Sequence, residues 1–395
     1  MASQEPSSSS SPPPPQAATT IGAIGDDLLR EIFLRLPSLP SLVRASLACR
    51  AFLHAVRASP AFRRRFRALH PPPLLGLFFD PDGPAIPAFA PPPPPLRPDA
   101  DGAAPGWEIR DCRAGRVLLV NWSADQVAAY DPLTGALDLL PPPPDEISDG
   151  CVGYFTHLDY HLLSSDEAPG SFRVVCACHD ESRARAAVLS SATREWRIFP
   201  WAEATAPQPE DDKYWLHLGT LVAGTVYWTH TNQPFMLALD TAALRFSRID
   251  LPPYLGGQGH TFRAGETKDG GLCIVCALEF TLIVWLRRAD EDGVERWMLH
   301  RMFPLQEELV EVTEGSLEDH GALKVIAIID GVVYLSTYET FNDSDLPCWF
   351  LSFCLETGEL ERLFQRRYDS HVHPYIMAWP PSLVGNTANP QLEGA

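Results

Sequence analysis

Lysine is nearly absent: Lys213, Lys268 and Lys324 are the only three in 395 residues, and every other basic residue apart from histidine is an arginine. No apolar run reaches the length that spans a bilayer. The best candidate, residues 272–286, is too short and contains Glu279, so no membrane partner is expected. Residues 1–20 are rich in Ser and Pro, carry Glu5 as their one charge and lack the apolar stretch of a secretory signal, so they are expected to form a disordered tail, as are residues 386–395. Nine cysteines, an odd number without a signal, favour free thiols in a reducing compartment, cytoplasmic and/or nuclear. The sequons at Asn121 and Asn342 would carry no sugar there.

Catalytic signatures are missing as well. The chain has no G-x-S-x-G, no phosphate-binding glycine loop and no H-E-x-x-H. Cys273 and Cys276 have metal-ligand spacing, but three residues apart in a strand they point to opposite faces and chelate poorly. Cys176 and Cys178 share a face with His179 following, yet no fourth ligand accompanies them. His371 and His373 read as loop histidines near the chain end. Glu307, Glu308, Glu311 and Glu314 fall at helical spacing around Leu305 and Leu309, which describes a solvated helix face. No catalytic residue, cofactor or metal site is therefore expected. The tryptophans at 196, 201, 215, 228, 285, 297 and 349 lie mostly in strand-like segments, as core residues would.

What is present falls into two parts of opposite charge. Residues 21–70 hold nine arginines against Asp26, Asp27 and Glu31, an excess of six. With Glu5 set apart, the formal charge of −19 leaves −24 on residues 71–395, a surface that repels nucleic-acid phosphate. The basic part reads as short helices. Leu28, Leu29, Ile32, Phe33 and Leu36 form one apolar stripe, opened by two aspartates and stopped before Pro37. A second helix begins near Pro40 and carries Leu42, Val43 and Leu47; a third holds Phe52, Leu53 and Val56. Ser59-Pro60 opens a fourth, with Phe62, Phe66 and Leu69 on one face. About fifty residues of small helices are marginal alone and call for a partner.

Beyond the proline-rich stretches at 71–73, 91–95 and 141–144 the chain reads as β-structure. A strand–turn–strand unit at Tyr130-Asp131-Pro132-Leu133-Thr134-Gly135-Ala136 is echoed at Leu189 to Trp196, Leu239 to Arg245 and Cys354 to Leu360. Each is preceded by a Gly-opened strand, as at Gly224-Thr225-Val226-Tyr227-Trp228 and Gly331-Val332-Val333-Tyr334-Leu335. A period of about fifty residues matches a four-stranded propeller blade. Five units are counted, residues 74–79 begin a sixth, and residues 375–379 offer a strand that could complete it across the chain ends. A pair of two-sheet sandwiches is the alternative. The fold expected is thus α+β in two domains: a small all-α domain at 21–70, then an all-β propeller-like domain of about six blades at 71–385.

The helical stretch resembles the F-box, which plugs a substrate receptor into the Skp-type adaptor of a cullin–RING ubiquitin ligase. The matching residues are Ile24-Gly25-Asp26-Asp27-Leu28-Leu29, Ile32-Phe33-Leu34-Arg35-Leu36, Leu42-Val43-Arg44-Ala45-Ser46 and Cys49-Arg50-Ala51-Phe52. Ile24-Gly25 stands where the family has Leu-Pro, and Phe52 where it has Trp. The β-region is similar to the F-box-associated regions of plant F-box proteins, which look like irregular kelch-type propellers. The resemblance implies a non-catalytic receptor that binds the adaptor, and through it a cullin, while the propeller holds a protein client. Docking would fall to Ile24, Leu28, Ile32, Phe33, Leu36, Leu42 and Val43. Two other roles stay open: an F-box scaffold acting outside a ligase, and a ligand- or glycan-binding propeller. A receptor with few lysines would also escape modifying itself, although compositional bias, with Ala, Pro and Arg all abundant, is the plainer explanation of the shortage.

Overall fold

The structure is a computed structural model that describes residues 24–70, 73–79, 106–153, 156–164, 171–180, 183–203, 219–229, 234–256, 261–337, 348–366, 372–377 and 379–384. The expected tails at 1–20 and 386–395, the turn at 80–83, the proline run at 91–95, Trp215 and His371 lie outside the described residues. The chain divides into two units, one of Met1–His70 with Ser382–Ala395, the other of Pro71–Pro381.

In the first unit four helices follow one another: α1 (Asp26–Phe33), α2 (Leu39–Ser46), α3 (Arg50–Arg57) and α4 (Pro60–Leu69). Ser38 and Ser59 cap α2 and α4 by accepting from the Ser41 and Phe62 amides at 3.4 and 3.1 Å, each with a proline in the first turn. Leu29, Phe33, Leu39, Leu42, Val56, Phe62 and Phe66 make the core. Phe33 meets Phe52 edge-to-face at 5.4 Å. The Arg30 Nε donates to the Ala55 carbonyl at 2.9 Å and ties α1 to α3. α1 ends at Phe33 rather than running to Pro37, so Leu36 belongs to the following turn. Leu47 and Leu69, expected on apolar faces, lie at helix ends and are exposed. The chain returns to this unit at its far end: the Arg57 Nε donates to the Ser382 carbonyl at 2.8 Å, and Leu383 and Val384 are buried.

The second unit is a β-propeller with five blades. It opens with β1 (Leu74–Phe79). Blade 1 comprises β2 (Glu108–Arg113), β3 (Arg116–Asn121), β4 (Gln126–Asp131) and β5 (Ala136–Leu140). Blade 2 comprises β6 (Thr156–Ser164), β7 (Phe172–His179), β8 (Arg183–Ser190), β9 (Trp196–Ile198) and β10 (Ala202–Glu203), the last two both pairing with β8. Blade 3 holds β11 (Thr220–Val222), β12 (Thr225–Thr229), β13 (Phe235–Asp240) and β14 (Arg245–Asp250). Blade 4 holds β15 (Phe262–Glu266), β16 (Leu272–Leu278), β17 (Thr281–Ala289) and β18 (Glu295–Pro304). After α5 (Gln306–Thr313), blade 5 is built of β19 (Leu323–Ile329), β20 (Val332–Thr337), β21 (Cys348–Cys354) and β22 (Leu360–Arg366), and β23 (Val372–Ile376) follows. Paired strands are antiparallel throughout.

The expected count of about six blades is thereby corrected to five. The segment from Leu74 builds no blade of its own because it pairs with β23, Leu77 opposite Pro374 and Phe79 opposite Val372. This two-stranded sheet closes the ring. Phe78 and Tyr375 pack with Trp107, Ile109 and Val117 of blade 1, while Leu77, Phe79 and Val372 pack with Cys348 and Phe350 of blade 5. Each of the other neighbouring pairs of blades buries its own apolar cluster, so the sheets are arranged around an axis and not as sandwiches.

Recurrent turns explain the repeat in the sequence. Gly135, Arg194, Leu244 and Gly358 occupy one place in four hairpins, and all have φ between 52° and 76°. That left-handed residue lets the turn meet the twist of the last two strands. Ala114-Gly115, Ala223-Gly224 and Asp330-Gly331 are pairs with both residues at positive φ, the turn that joins the first two strands of a blade.

Candidate functional site

Among the described residues two places have the chemistry of a binding site, one in each unit. In the helical unit the docking candidates separate by burial. Leu28 and Ile32, one helical turn apart on α1, are 58% and 43% exposed. Ile24, Leu36 and Val43 are half-buried. Phe33 and Leu42 are 3% and 0% exposed and belong to the core. Beside the exposed pair, Arg30 holds Asp27 at 2.9 Å and Asp26 at 3.4 Å, and Arg65 meets Glu31 at 2.5 Å. Such surface pairs add little stability. An exposed Leu/Ile pair on a short amphipathic helix can dock against an apolar groove.

In the propeller, the first strands of blades 1, 3, 4 and 5, with β23, line a cavity of about 130 Å³. Its wall is drawn from β2, β11, β15, β19 and β23. Arg110, Arg113, Arg263 and Lys324 line it, against Asp111 and Glu266, with His373 also on the wall. Two of these strands bulge where they border it: register shifts past Arg110 in β2 and past Ile326 in β19. Bulges of this kind re-aim a side chain. Gly265 lets β15 and β19 approach closely, since a Cβ there would stand 2.3 Å from that of Ile328.

The charged groups are held individually. The Arg113 Nη2 donates to the Leu221 carbonyl at 3.1 Å, while its Nε is buried with no hydrogen-bond partner among the described residues. The Arg263 Nη1 donates to the Phe262 carbonyl at 3.1 Å, and burial pushes this guanidinium below its ordinary pKa. Arg110 lies 3.5 Å from Glu108 and over the Trp122 ring at 5.3 Å. Asp111 accepts from the Leu162 amide at 2.7 Å and the Cys112 amide at 2.8 Å. Burial raises the Glu266 carboxyl above its usual range, a shift that Arg113 and a backbone hydrogen bond at Asp330 offset in part.

Behind Asp111 lies a buried polar knot. The Asp159 Oδ2 receives the Trp228 indole at 2.5 Å, the Gly219 amide at 3.1 Å and the His161 Nε2 at 3.0 Å. It locks blade 2 to blade 3.

The cysteine pairs take structural positions. Cys273 packs between blades 4 and 5 and Cys276 between blades 3 and 4, on opposite faces of β16. Cys176 and Cys178 share the interface of blades 1 and 2, where burial raises both thiols. His373, expected in a loop, is a buried residue of β23. Among the described residues no group of three or more His, Cys, Asp or Glu is placed to hold a metal ion. No helix among them is long and apolar enough to cross a membrane. The sequence reading missed Arg110, Arg113 and Arg263 as a cluster because it placed no strand at β2 or β15. A basic residue in each short run between turns was the available signal.

Residues 108–383 match the family "F-box protein AT5G49610-like, beta-propeller", and the chain belongs to that family. No match was found among curated proteins. Among solved structures the chain is similar to a luciferin-regenerating enzyme at 11% identity and a TM-score of 0.36, covering 68% of this chain and 78% of that one. It is similar to a putative 6-phosphogluconolactonase from Bacteroides uniformis at 12% and 0.36, covering 69% and 71%. A chain of the mitotic checkpoint complex aligns at 9% and 0.35, covering 75% and 71%. At such scores these likenesses say nothing about activity.

Proposed function

We propose that this protein is the substrate-receptor subunit of a Skp–cullin–F-box ubiquitin ligase. The observation that carries the reading is the exposed Leu28 and Ile32 pair on α1, set on a helical unit whose other large apolar side chains are mostly in its core, in a chain whose propeller belongs to an F-box protein family. In this reading the helical unit docks an apolar strip of the adaptor and reaches the cullin through it. The propeller holds a protein client. The subunit breaks and forms no bonds itself; it raises the effective concentration of the client beside the ubiquitin-transferring enzyme. It works in the cytoplasm and/or the nucleus without nucleic-acid or membrane partners, in keeping with the acidic surface of residues 71–395.

Co-purification of the full chain with a Skp-type adaptor and a cullin tests this. Wild type should recover both. The double variant Leu28→Asp, Ile32→Asp places two charges on the docking face and should lose both while retaining its secondary structure. Recovery of the adaptor at wild-type yield by that variant would overturn the reading. Adaptor without cullin would instead identify a scaffold acting outside a ligase.

A further inference from the structure

We propose that the axial cavity of the propeller binds a small oxyanion, a phosphate or carboxylate group carried by a low-molecular-weight ligand. The inference is independent of the ligase reading.

Charge supplies the first argument. The chain carries 31 basic against 50 acidic residues, whereas the cavity wall reverses that ratio, with Arg110, Arg113, Arg263 and Lys324 against Asp111 and Glu266. One of the three lysines in the whole sequence stands there. A solvated acidic surface needs no such reversal at its axis, and a randomly filled core would avoid cations altogether.

Satisfaction of those cations supplies the second. A guanidinium withdrawn from water is costly unless its charge is matched and its N–H groups are used. Arg110 has Glu108 at 3.5 Å, so the guanidiniums of Arg113 and Arg263 are the ones in question. Asp111 already accepts the Leu162 and Cys112 amides, and burial raises the Glu266 carboxyl while Arg113 lowers it. The buried Nε of Arg113 has no hydrogen-bond partner among the described residues. Arg263 donates to the neighbouring backbone carbonyl, which is neutral. An oxyanion between them would receive charge-assisted hydrogen bonds from two forked donors in blades 1 and 4. The bulges at Arg110 and Ile326, and the close approach at Gly265, shape the wall around that position.

Size decides the class of ligand. About 130 Å³ is well below the roughly 300–1,000 Å³ of pockets for drug-sized molecules. A phosphate or a short carboxylate fits; a segment of client chain does not.

The test uses the full chain in titration calorimetry and thermal melts, with inorganic phosphate and succinate as probes against sodium chloride at matched ionic strength. One or both probes should bind saturably and raise the melting temperature, with chloride giving no comparable rise. The stronger probe identifies the group, phosphate or carboxylate. Arg263→Gln should weaken binding at least tenfold and Arg263→Lys by less, while Arg194→Gln, on an outer hairpin, should leave it unchanged. If Arg263→Gln does not fold, Lys324→Met takes its place and should also weaken binding. The proposal fails if both probes act like chloride on wild type, or if the cavity variants bind as wild type does. Equal weakening by Arg194→Gln would mean an adventitious ion only.

Discussion

The His161 Nε2 stands 3.0 Å from the Asp159 Oδ2, two residues back on β6, with the imidazole buried and its Nδ1 3.9 Å from Asp111. Burial pushes the Asp159 carboxyl up, but the imidazolium beside it, together with Arg110 and the Trp228 hydrogen bond, outweighs burial and holds it at about 2. Burial likewise favours the neutral imidazole, while Asp159 and Asp111 raise His161 above its ordinary value against the opposing charge of Arg113. The two titrate as a pair. The depressed carboxyl contributes stability that is present above pH 3.8 and is lost as pH falls toward 2; the raised imidazole contributes stability that is full below 6.5 and fades as pH climbs through its folded value. The carboxyl share is on the order of 2 kcal/mol. Thermal melts of the full chain should therefore peak between about pH 4 and 6.5 for this pair. His161→Gln should lose stability in that window and flatten the decline above it. An unchanged alkaline slope in the variant would show that the imidazole enters the native structure neutral.

Gly265 offers a steric test of the same axis. A Cβ there would lie 2.3 Å from the Ile328 Cβ and 2.6 Å from the Ile328 carbonyl oxygen, so backbone must move to admit it. Gly265→Ala should cost about 1–3 kcal/mol by overpacking. Urea unfolding of the propeller reads the loss, and Gly293→Ala, which meets nothing within 4 Å but has a φ of 76°, separates backbone strain from collision.

Of the first strands of the blades, β11 and β19 are legible in the sequence, and β2, β6 and β15 are not. β7, β12, β16 and β20 are runs of apolar and β-branched residues, and their segments read at once as strands. β2 reads EIRDCR, β6 THLDYHLLS and β15 FRAGE, with charged, histidine or glycine positions where alternation should be. Arg113, Arg263 and Glu266 line a polar cavity, Asp159 and His161 share a buried ionic knot, and bulges in β2 and β6 shift the period as well. Pattern failed where the axis is polar. The helical unit was easier: spacing and caps placed all four helices, but spacing alone cannot say which side of α1 is covered. For that reason spacing groups the buried Phe33 and Leu42 with the exposed Leu28 and Ile32.

That division makes a prediction. Ile32, at 43% exposed, should lose far less stability on truncation than a core residue would. Leu28→Ala should change stability by no more than about 0.5 kcal/mol, as for other surface sites, yet weaken the adaptor. Phe33→Ala should cost about 3–5 kcal/mol and unfold a unit of this size. Limited proteolysis beside adaptor recovery distinguishes the two: binding lost with protection kept for Leu28→Ala, both lost for Phe33→Ala.

Gly25 enters α1 at φ −65° and ψ 152°, values that proline adopts, and a Cβ there meets nothing within 4 Å. Gly25→Pro should therefore stabilise the helical unit by about 0.4–1 kcal/mol by restricting the unfolded chain. Adaptor binding should hold or tighten. A lower melting temperature would mean that Ile24 cannot take the extended conformation that a following proline demands.

The two ends of the β-region can be separated by where the chain is cut. Pairing of β1 with β23 closes the ring, and Tyr375 is buried against Phe78, ring centroids 5.4 Å apart and nearly perpendicular. Deleting residues 372–395 would leave β1 and the flank of blade 1 without their cover, exposing strand edges that recruit other chains. A cut after Pro381 keeps β23. It removes the Ser382 carbonyl that Arg57 holds and the buried Leu383 and Val384, all of which group with the helices. The shorter deletion should therefore lower the stability of the helical unit and weaken adaptor recovery while the propeller melts unchanged and stays monomeric. The longer one should aggregate and lose client capture too. Tyr375→Ala, predicted to cost about 3–5 kcal/mol as a large buried aromatic, provides the counterpart: a destabilised propeller with Ser382–Val384 still present. If the cut after Pro381 melts the propeller as severely as Tyr375→Ala does, ring closure depends on the last residues of the chain and not on β23.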